Sequence, residues 1–357
     1  MKRTLVIMGL FLVLSCTGVK RGPASGMEYA SWFSLRGDTL EVISPFDGSV
    51  EQHIVHPCSS LVCFSSSYIG YLQLLGADSL VTGVSGLAFV SDSLVLKLAV
   101  DVGYDSAPDY ERIVRLRPDY VLMYSISSGG QPSLSKLQDL GLEVITLHEH
   151  LEPHPLGRAE YLKLFGALSG RRALADSLFG CVRDSYLSLV TPMGKVARKV
   201  LVNIPYGDQW YIPAADNYFT RLVKDAGGEI LGSASGSVSG VISVEKAYSL
   251  SRQADIWLNP GWCGSLSDLR SVHPLFADFP VIDKAVWNNT ALTNPAGGNA
   301  FWETGPARPD LLLSDLRTII SDPVCPSGVS GVSGVSGVSG VSAESGPDTL
   351  NYFIRLR

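Results

Sequence analysis

Ala159–Val190, AEYLKLFGALSGRRALADSLFGCVRDSYLSLV, carries the clearest helical signal in the chain. Leu174, Leu178, Val182, Tyr186 and Leu189 recur at intervals of four, four, four and three, which places them on one stripe of a helix. Pro192 has no amide hydrogen to continue the ladder and stops it. On either side lies a domain-sized block in which apolar β-rich runs alternate with short helical patterns. One short module occurs in both blocks, as Glu111–Tyr124 (ERIVRLRPDYVLMY) and again as Glu245–Leu258 (EKAYSLSRQADIWL). Strands separated by helices form parallel sheets with right-handed crossovers. The expected fold is therefore α/β, two Rossmann-like lobes with parallel sheets joined by one long backbone helix.

Working outward, the first block offers strands at Leu61–Phe64, Leu80–Val84, Val121–Tyr124 and Val144–Leu147. Ser65–Ser67 open a helix that runs to Leu75 and is closed by Gly76, and a second helix, Leu134–Leu140, is closed by Gly141. The second block offers strands at Val196–Ile204 and Ile256–Leu258, with a helix Asn217–Ala226 ended by Gly227-Gly228. Ahead of both blocks, Ala30–Leu35 and Thr39–Ile43 flank Arg36-Gly37-Asp38. That tripeptide spells an adhesion motif, but Gly-Asp in a hairpin turn accounts for it.

A chain of 357 residues is comfortable for two cores, and 17% charged residues with 46% hydrophobic ones describe a packed globular protein. The net charge of −6 argues against a nucleic-acid surface, which needs clustered Lys and Arg. At the start, Lys2 and Arg3 precede an apolar run, Leu5–Leu14, and then Ser15-Cys16, the pattern of a lipoprotein signal with Cys16 as the lipidated residue. The mature protein is thus expected to be exported, tethered to a membrane by its lipid and otherwise soluble. Five other cysteines remain, with no C-x-x-C pair among them, so a zinc ribbon is unsupported and at least one thiol stays free. Ser327–Ser342 is a run of five Ser-Gly-Val triplets and a final Ser, read as a flexible linker. The expected division is 1–16 signal, 17–27 linker, 28–157 first lobe, 158–192 connecting helices, 193–325 second lobe, 326–347 triplet linker and 348–357 C-terminal segment. That last segment is apolar enough to dock on the body, yet removing 326–357 is expected to leave ligand binding intact.

No G-x-S-x-G elbow, P-loop, G-x-G-x-x-G or H-E-x-x-H is present, so no enzyme activity is expected. What recurs instead is an aromatic residue near the end of a strand. Tyr104, Tyr124, Tyr206, Trp210, Tyr211, Trp262, Trp287, Phe301 and Trp302 all occupy such places and are the expected ligand-cleft residues. Ligands of open α/β sheets bind beyond the carboxyl ends of the strands, and aromatic walls suit a large, flat ligand. A rival site is the stretch HEHLEPH, in which His148, His150 and His154 with Glu149 and Glu152 offer zinc or manganese ligands.

In this order along the chain, Glu111–Val121, Pro155–Glu160 (PLGRAE), Asp225–Gly228 (DAGG) and Gly297–Glu303 (GGNAFWE) resemble the class III periplasmic binding proteins. These are the helical-backbone, two-lobe substrate-binding proteins of ABC importers that carry iron-siderophores, haem or cobalamin. The resemblance covers about Glu28 to Pro323. It implies a monomer with no intrinsic cofactor, whose ligand is an iron complex, haem or cobalamin. It also implies an ABC permease and its ATPase as partners, with Glu111 and Glu245 docking one on each half of the permease. The same two glutamates can equally serve the first turns of helices capped by Asp109 and Ser243. The triplet tract and the segment beyond it depart from the family pattern.

Overall fold

The computed structural model describes residues 22–127, 132–192, 197–322 and 349–357. Cys16, Cys325 and the triplet tract lie outside the described residues.

The backbone helix runs Arg172–Leu189, and two shorter helices, Pro155–Ala159 and Leu162–Leu168, precede it. The buried stripe of the long helix is Ala175, Phe179, Val182 and Tyr186, whereas Leu174 is 43% exposed. The expected stripe is therefore turned. A run of fours drifts about 40° per step around an α-helix, while the observed 4-3-4 spacing holds one face. Ala175 sits where Gly166 of the preceding helix lets the two backbones close up; a Cβ on Gly166 would lie 2.4 Å from that of Ala175. Tyr186 then ties the helix to the second lobe, its hydroxyl donating to Asp225 Oδ2 at 2.7 Å inside the core.

The first lobe holds a parallel five-stranded sheet in the spatial order Val144–Leu147, Tyr120–Tyr124, Leu61–Cys63, Val81–Val84, Val100–Asp101. Numbered along the chain this is 5-4-1-2-3, the doubly wound order. Alternation along each strand serves two cores. Leu61, Cys63, Tyr120, Leu122, Ile145 and Leu147 join the main core, while Val62, Val121, Met123 and Val144 join a second cluster with Ile113 and Leu137 on the opposite face. Both faces are covered by helices, so these strands read as unbroken apolar runs. A separate antiparallel sheet, Phe33–Arg36, Thr39–Ile43 and Val50–Ile54, precedes it. Its first turn is Gly37-Asp38, held by Arg172 to the Gly37 carbonyl and Asp38 Oδ1, both at 2.8 Å.

The second lobe has the order Gly228–Ile230, Arg198–Val202, Ile256–Leu258, Val286–Asn288, all parallel, and then Ile354–Arg355 antiparallel at the edge. The fifth strand comes from beyond the triplet tract. Tyr352, Phe353 and Leu356 are buried there. The segment thus docks on the body, as a strand of the lobe's sheet and a part of its core.

Candidate functional site

Each sheet has one switch point, where crossovers leave in opposite directions and a crevice opens beyond the strand ends. In the first lobe it lies between Leu61–Cys63 and Tyr120–Tyr124. Tyr124 is half-buried, donates to Asp105 Oδ2 at 2.6 Å and meets the edge of the His150 ring at 5.7 Å. Burial and the Asp105 carboxylate push the Tyr124 phenol up to about 12, so it remains a donor at neutral pH. Burial also lowers the pKa of His150, and its Nε2 is buried without a partner. Tyr104 is 56% exposed and lies with Phe89 over Gly86, whose missing side chain makes room for both rings.

In the second lobe the switch point lies between Arg198–Val202 and Ile256–Leu258. Both strands end in an asparagine with left-handed backbone, Asn203 at φ 64° and Asn259 at φ 55°. Asparagine tolerates this region better than other residues with a Cβ. Asn203 Nδ2 donates to the Tyr211 carbonyl at 2.9 Å, and Asn259 Oδ1 is buried without a partner. Gly261, at φ 62°, packs against Ile204; a Cβ there would come within 2.6 Å of Ile204 Cδ1. Beyond these turns Tyr206 is 85% and Trp262 69% exposed, with Tyr211 at 43%. These large side chains are thus exposed at the strand ends and take no part in the core.

Three of the expected cleft residues belong to the core instead. Trp210 alternates with exposed Tyr211 in a short strand, Trp210–Ile212, that pairs antiparallel with Gly240–Ile242, so it points inward, stacking near Trp257 and Phe279 at 5.8 and 6.1 Å. Its indole N–H is satisfied by the Val202 carbonyl at 2.8 Å. Trp287 lies within the strand Val286–Asn288 rather than after it and is covered by the strand Ile354–Arg355. Phe301 is buried among Phe219, Tyr352 and Phe353, while its neighbour Trp302 is half exposed.

The HEHLEPH stretch is wiring between elements. Glu149 accepts from Ser67 Oγ and from both Nε and Nη2 of Arg158, at 3.1 and 2.9 Å, and the Arg158 guanidinium lies 4.3 Å over the Tyr218 ring of the second lobe. Glu152 accepts the amides of Ser31 and Trp32, Glu160 those of Glu28, Tyr29 and Ala30. His154 Nδ1 caps a helix by accepting from the Leu156 amide at 3.1 Å. His148 is buried against Phe46, and burial holds it down to about 4, as it does His154. Among the described residues no three His, Cys, Asp or Glu side chains converge as a metal set, so the geometry does not support the zinc or manganese site. The described cysteines are free thiols; Cys63 and Cys263 are buried, Cys58 half-buried and Cys181 exposed.

Segments that follow a strand in each lobe staple the two lobes together. Asn294 Nδ2 donates to the Ala88 and Val90 carbonyls at 3.1 and 2.7 Å, and Glu303 Oε2 accepts the Ser91 amide at 2.7 Å. Two glycines allow the approach: a Cβ on Gly298 would lie 2.4 Å from the Phe89 oxygen, and one on Gly70 2.0 Å from the Glu303 oxygen. Burial raises the Glu303 carboxyl to about 7. The sequence held a signal for this in GGNAFWE, but only the fold shows what the segment touches.

Glu111 and Glu245 occupy equivalent places. Each is exposed, each is the second residue of a helix, Tyr110–Leu116 or Val244–Ser251, and each helix is capped as its sequence suggests. Asp109 accepts the Arg112 amide at 3.0 Å and Ser243 the Lys246 amide at 3.2 Å.

A family model described as periplasmic binding protein matches residues 61–289. An uncharacterized lipoprotein of Methanocaldococcus jannaschii is 26% identical over 279 residues, 74% of this chain, and the chain spans 65% of that relative's length. A periplasmic heme binding protein from Pseudomonas aeruginosa superposes with a TM-score of 0.56 at 20% identity, covering 76% of this chain and 95% of its own. A periplasmic vitamin B12 binding protein of Vibrio cholerae gives 0.54 at 14%, covering 74% and 98%. At these identities the two structures speak for the fold, the class III arrangement of two α/β lobes on a helical backbone.

Proposed function

The chain belongs to the periplasmic binding protein family, and on that premise we propose that it is the lipid-anchored receptor of an ABC importer. It captures an iron complex, haem or a corrinoid between its lobes and passes it to the permease without making or breaking a bond. What supports this reading is the exposure of aromatic side chains just past the strand ends, Tyr206, Trp262 and Tyr211 in the second lobe and Tyr104 in the first. Tyr206, Trp262 and Tyr211 offer broad faces to a macrocycle. In the first lobe Tyr124 brings a half-buried phenol held by Asp105 and Tyr104 a further exposed ring. The lipid on Cys16 holds the receptor at the membrane. A lipoprotein relative supports that anchor, and no described helix is long and apolar enough to cross a membrane.

Docking on the permease is assigned to Glu111 and Glu245. Two exposed carboxylates at matching helix starts, one per lobe, suit charge-assisted pairing with arginines on a twofold partner. Tryptophan emission of the protein without residues 1–16, titrated separately with haemin, a ferric siderophore and cobalamin, tests the ligand class. Saturable quenching by one of them below about 1 μM is the expected result, a binding free energy of about −8 kcal/mol or better. Silence from all three overturns it.

A further inference from the structure

Each connection from the carboxyl end of a parallel strand to the next helix is free of lysine and arginine, although the chain has 28 of them. In the first lobe these connections are residues 64–65, 85–92, 102–109, 125–131 and 148–154. In the second they are 203–217, 231–243, 259–265 and 289–299. The ionised groups they do carry are acids. Asp105 is exposed next to Tyr104, and Asp208 is exposed in the turn between Tyr206 and Tyr211. Burial lowers the pKa of His148, His150 and His154, so these add no positive charge at neutral pH.

The cations on the helices that follow are engaged. Arg112 donates from Nη1 to the Asp101 carbonyl at 2.6 Å and lies 3.2 Å from Asp109, Arg158 is buried on Glu149, and Arg221 is held on Asp225 at 2.9 Å. Lys97 sits in the last turn of the helix Ser93–Leu98, and Lys246 follows Glu245, which offsets it. Helix starts are the other source of positive potential at strand ends, and here the chain's own side chains close them. Asp92 accepts the Leu94 and Val95 amides at 2.8 and 2.9 Å, Asn217 that of Phe219 at 2.8 Å, Ser265 that of Asp268 at 3.1 Å and Asn299 that of Phe301 at 2.9 Å. Asp109, His154 and Ser243 do the same for their helices. An anion entering here would give up its hydration with no cation to replace it. An uncharged chelate loses only hydrogen bonds that hydroxyl, amide and backbone groups can return.

We propose that the cleft selects an uncharged or cationic metal chelate and rejects one that carries free carboxylates or any other net negative charge. The inference rests on the reading of the strand ends as the ligand site. Among the ligands of that reading it favours a corrinoid or a hydroxamate-type iron chelate over haem, whose propionates are ionised, and over an anionic catecholate complex. The exposed carboxylates of Asp105 and Asp208 give the preference its sign, since like charges brought together at a desolvated surface repel.

The test compares chelates that differ mainly in charge, titrated by calorimetry into the protein without residues 1–16. One series is ferric desferrioxamine B, a cation, with its neutral N-acetyl and anionic N-succinyl derivatives. The other is cyanocobalamin and its monocarboxylic acid, with haemin run beside both. In whichever series binds, the carboxylate member is expected to be weaker than its neutral counterpart by about tenfold or more, and haemin weaker than that counterpart too. Asp208→Arg should narrow the gap about threefold or more, and so should raising the salt from about 0.05 to about 0.5 M. A carboxylate member that binds as tightly as the neutral one, or haemin binding most tightly of all, overturns the proposal. So does a gap that neither Asp208→Arg nor salt moves, because the discrimination is then one of shape. Silence from every chelate, charged or not, overturns the strand-end reading itself, and the inference falls with it.

Discussion

The two lobes share a grammar and differ at their edges and their walls. The first lobe ends its sheet with the short strand Val100–Asp101, leaving Val100 37% exposed. The second covers its edge with a strand borrowed from far along the chain and buries Trp287 beneath it. At the switch points the first lobe presents Tyr124, His150 and Asp105, the second two left-handed asparagines with Tyr206 and Trp262 standing clear. Four parallel strands are arranged alike in the two sheets, with different fifth strands at the edges, and this shared arrangement does not dictate one chemistry. The scaffold places the strand ends, and the few residues just past them decide what they can hold.

The edges give the largest expected contrast. Phe353→Ala should cost the second lobe about 3–5 kcal/mol, because it removes a buried ring among Phe301 and Tyr352. Val100→Ala at the first lobe's edge should change stability by less than about 0.5 kcal/mol. Denaturant unfolding of both variants checks the difference; equal losses would mean that the edges are equivalent after all.

The seam between the lobes comes next. Arg158→Met removes the guanidinium that Glu149 and Tyr218 share and leaves a buried carboxylate unpaired, at a cost of about 3–5 kcal/mol. Replacing both members by apolar residues should recover much of it.

Much of this was legible in the sequence and some was not. Parallel strands covered on both faces are unbroken apolar runs, so Val144–Leu147 and Ile256–Leu258 are found at their full extent and Leu61–Cys63 to within a residue. Val50–Ile54, mostly exposed and polar, carries no such signal and is not expected from sequence. Aromatic residues near strand ends are ambiguous between core and cleft. Trp210 and Tyr211 are neighbours, yet the alternation of one short strand sends them to opposite fates. HEHLEPH looks like a ligand set because polar density is visible in sequence, whereas the partners that consume it, Ser31, Ser67 and Arg158, are distant or on other elements. Asn203 and Asn259 did leave a trace, since each follows an apolar run and precedes a proline within two residues.

A smaller effect separates the seam from the first lobe by pH. Glu303 is raised to about 7, above an unfolded value near 4.5, so the folded state binds its proton more tightly and stability falls as pH rises through that window. His148 and His154, lowered to about 4, act in the opposite direction, and stability is lost as pH falls below about 6.5 toward 4. Glu303→Gln should flatten the alkaline limb by about 1–3 kcal/mol and leave the acid limb untouched. Thermal unfolding between pH 4 and 9 reads both limbs; an unchanged alkaline limb would remove Glu303 from the account.

The smallest effect on stability is expected at the docking glutamates. Reversing the charge of Glu111 and Glu245 together should move stability by less than about 1 kcal/mol, through the helix starts alone. Ligand affinity should not change, while permease-coupled uptake is abolished. Normal uptake would retire the docking assignment and leave the two residues as helix-start charges.

The most direct test of the central claim is the ligand affinity of a Tyr206→Ala, Trp262→Ala double variant, measured by calorimetry with whichever chelate quenches the wild-type protein. Both side chains are open to solvent, so the fold should be unaffected, and the account predicts at least a tenfold weaker Kd at an unchanged Tm. An unchanged Kd would contradict it and place the ligand away from the strand-end wall of the second lobe.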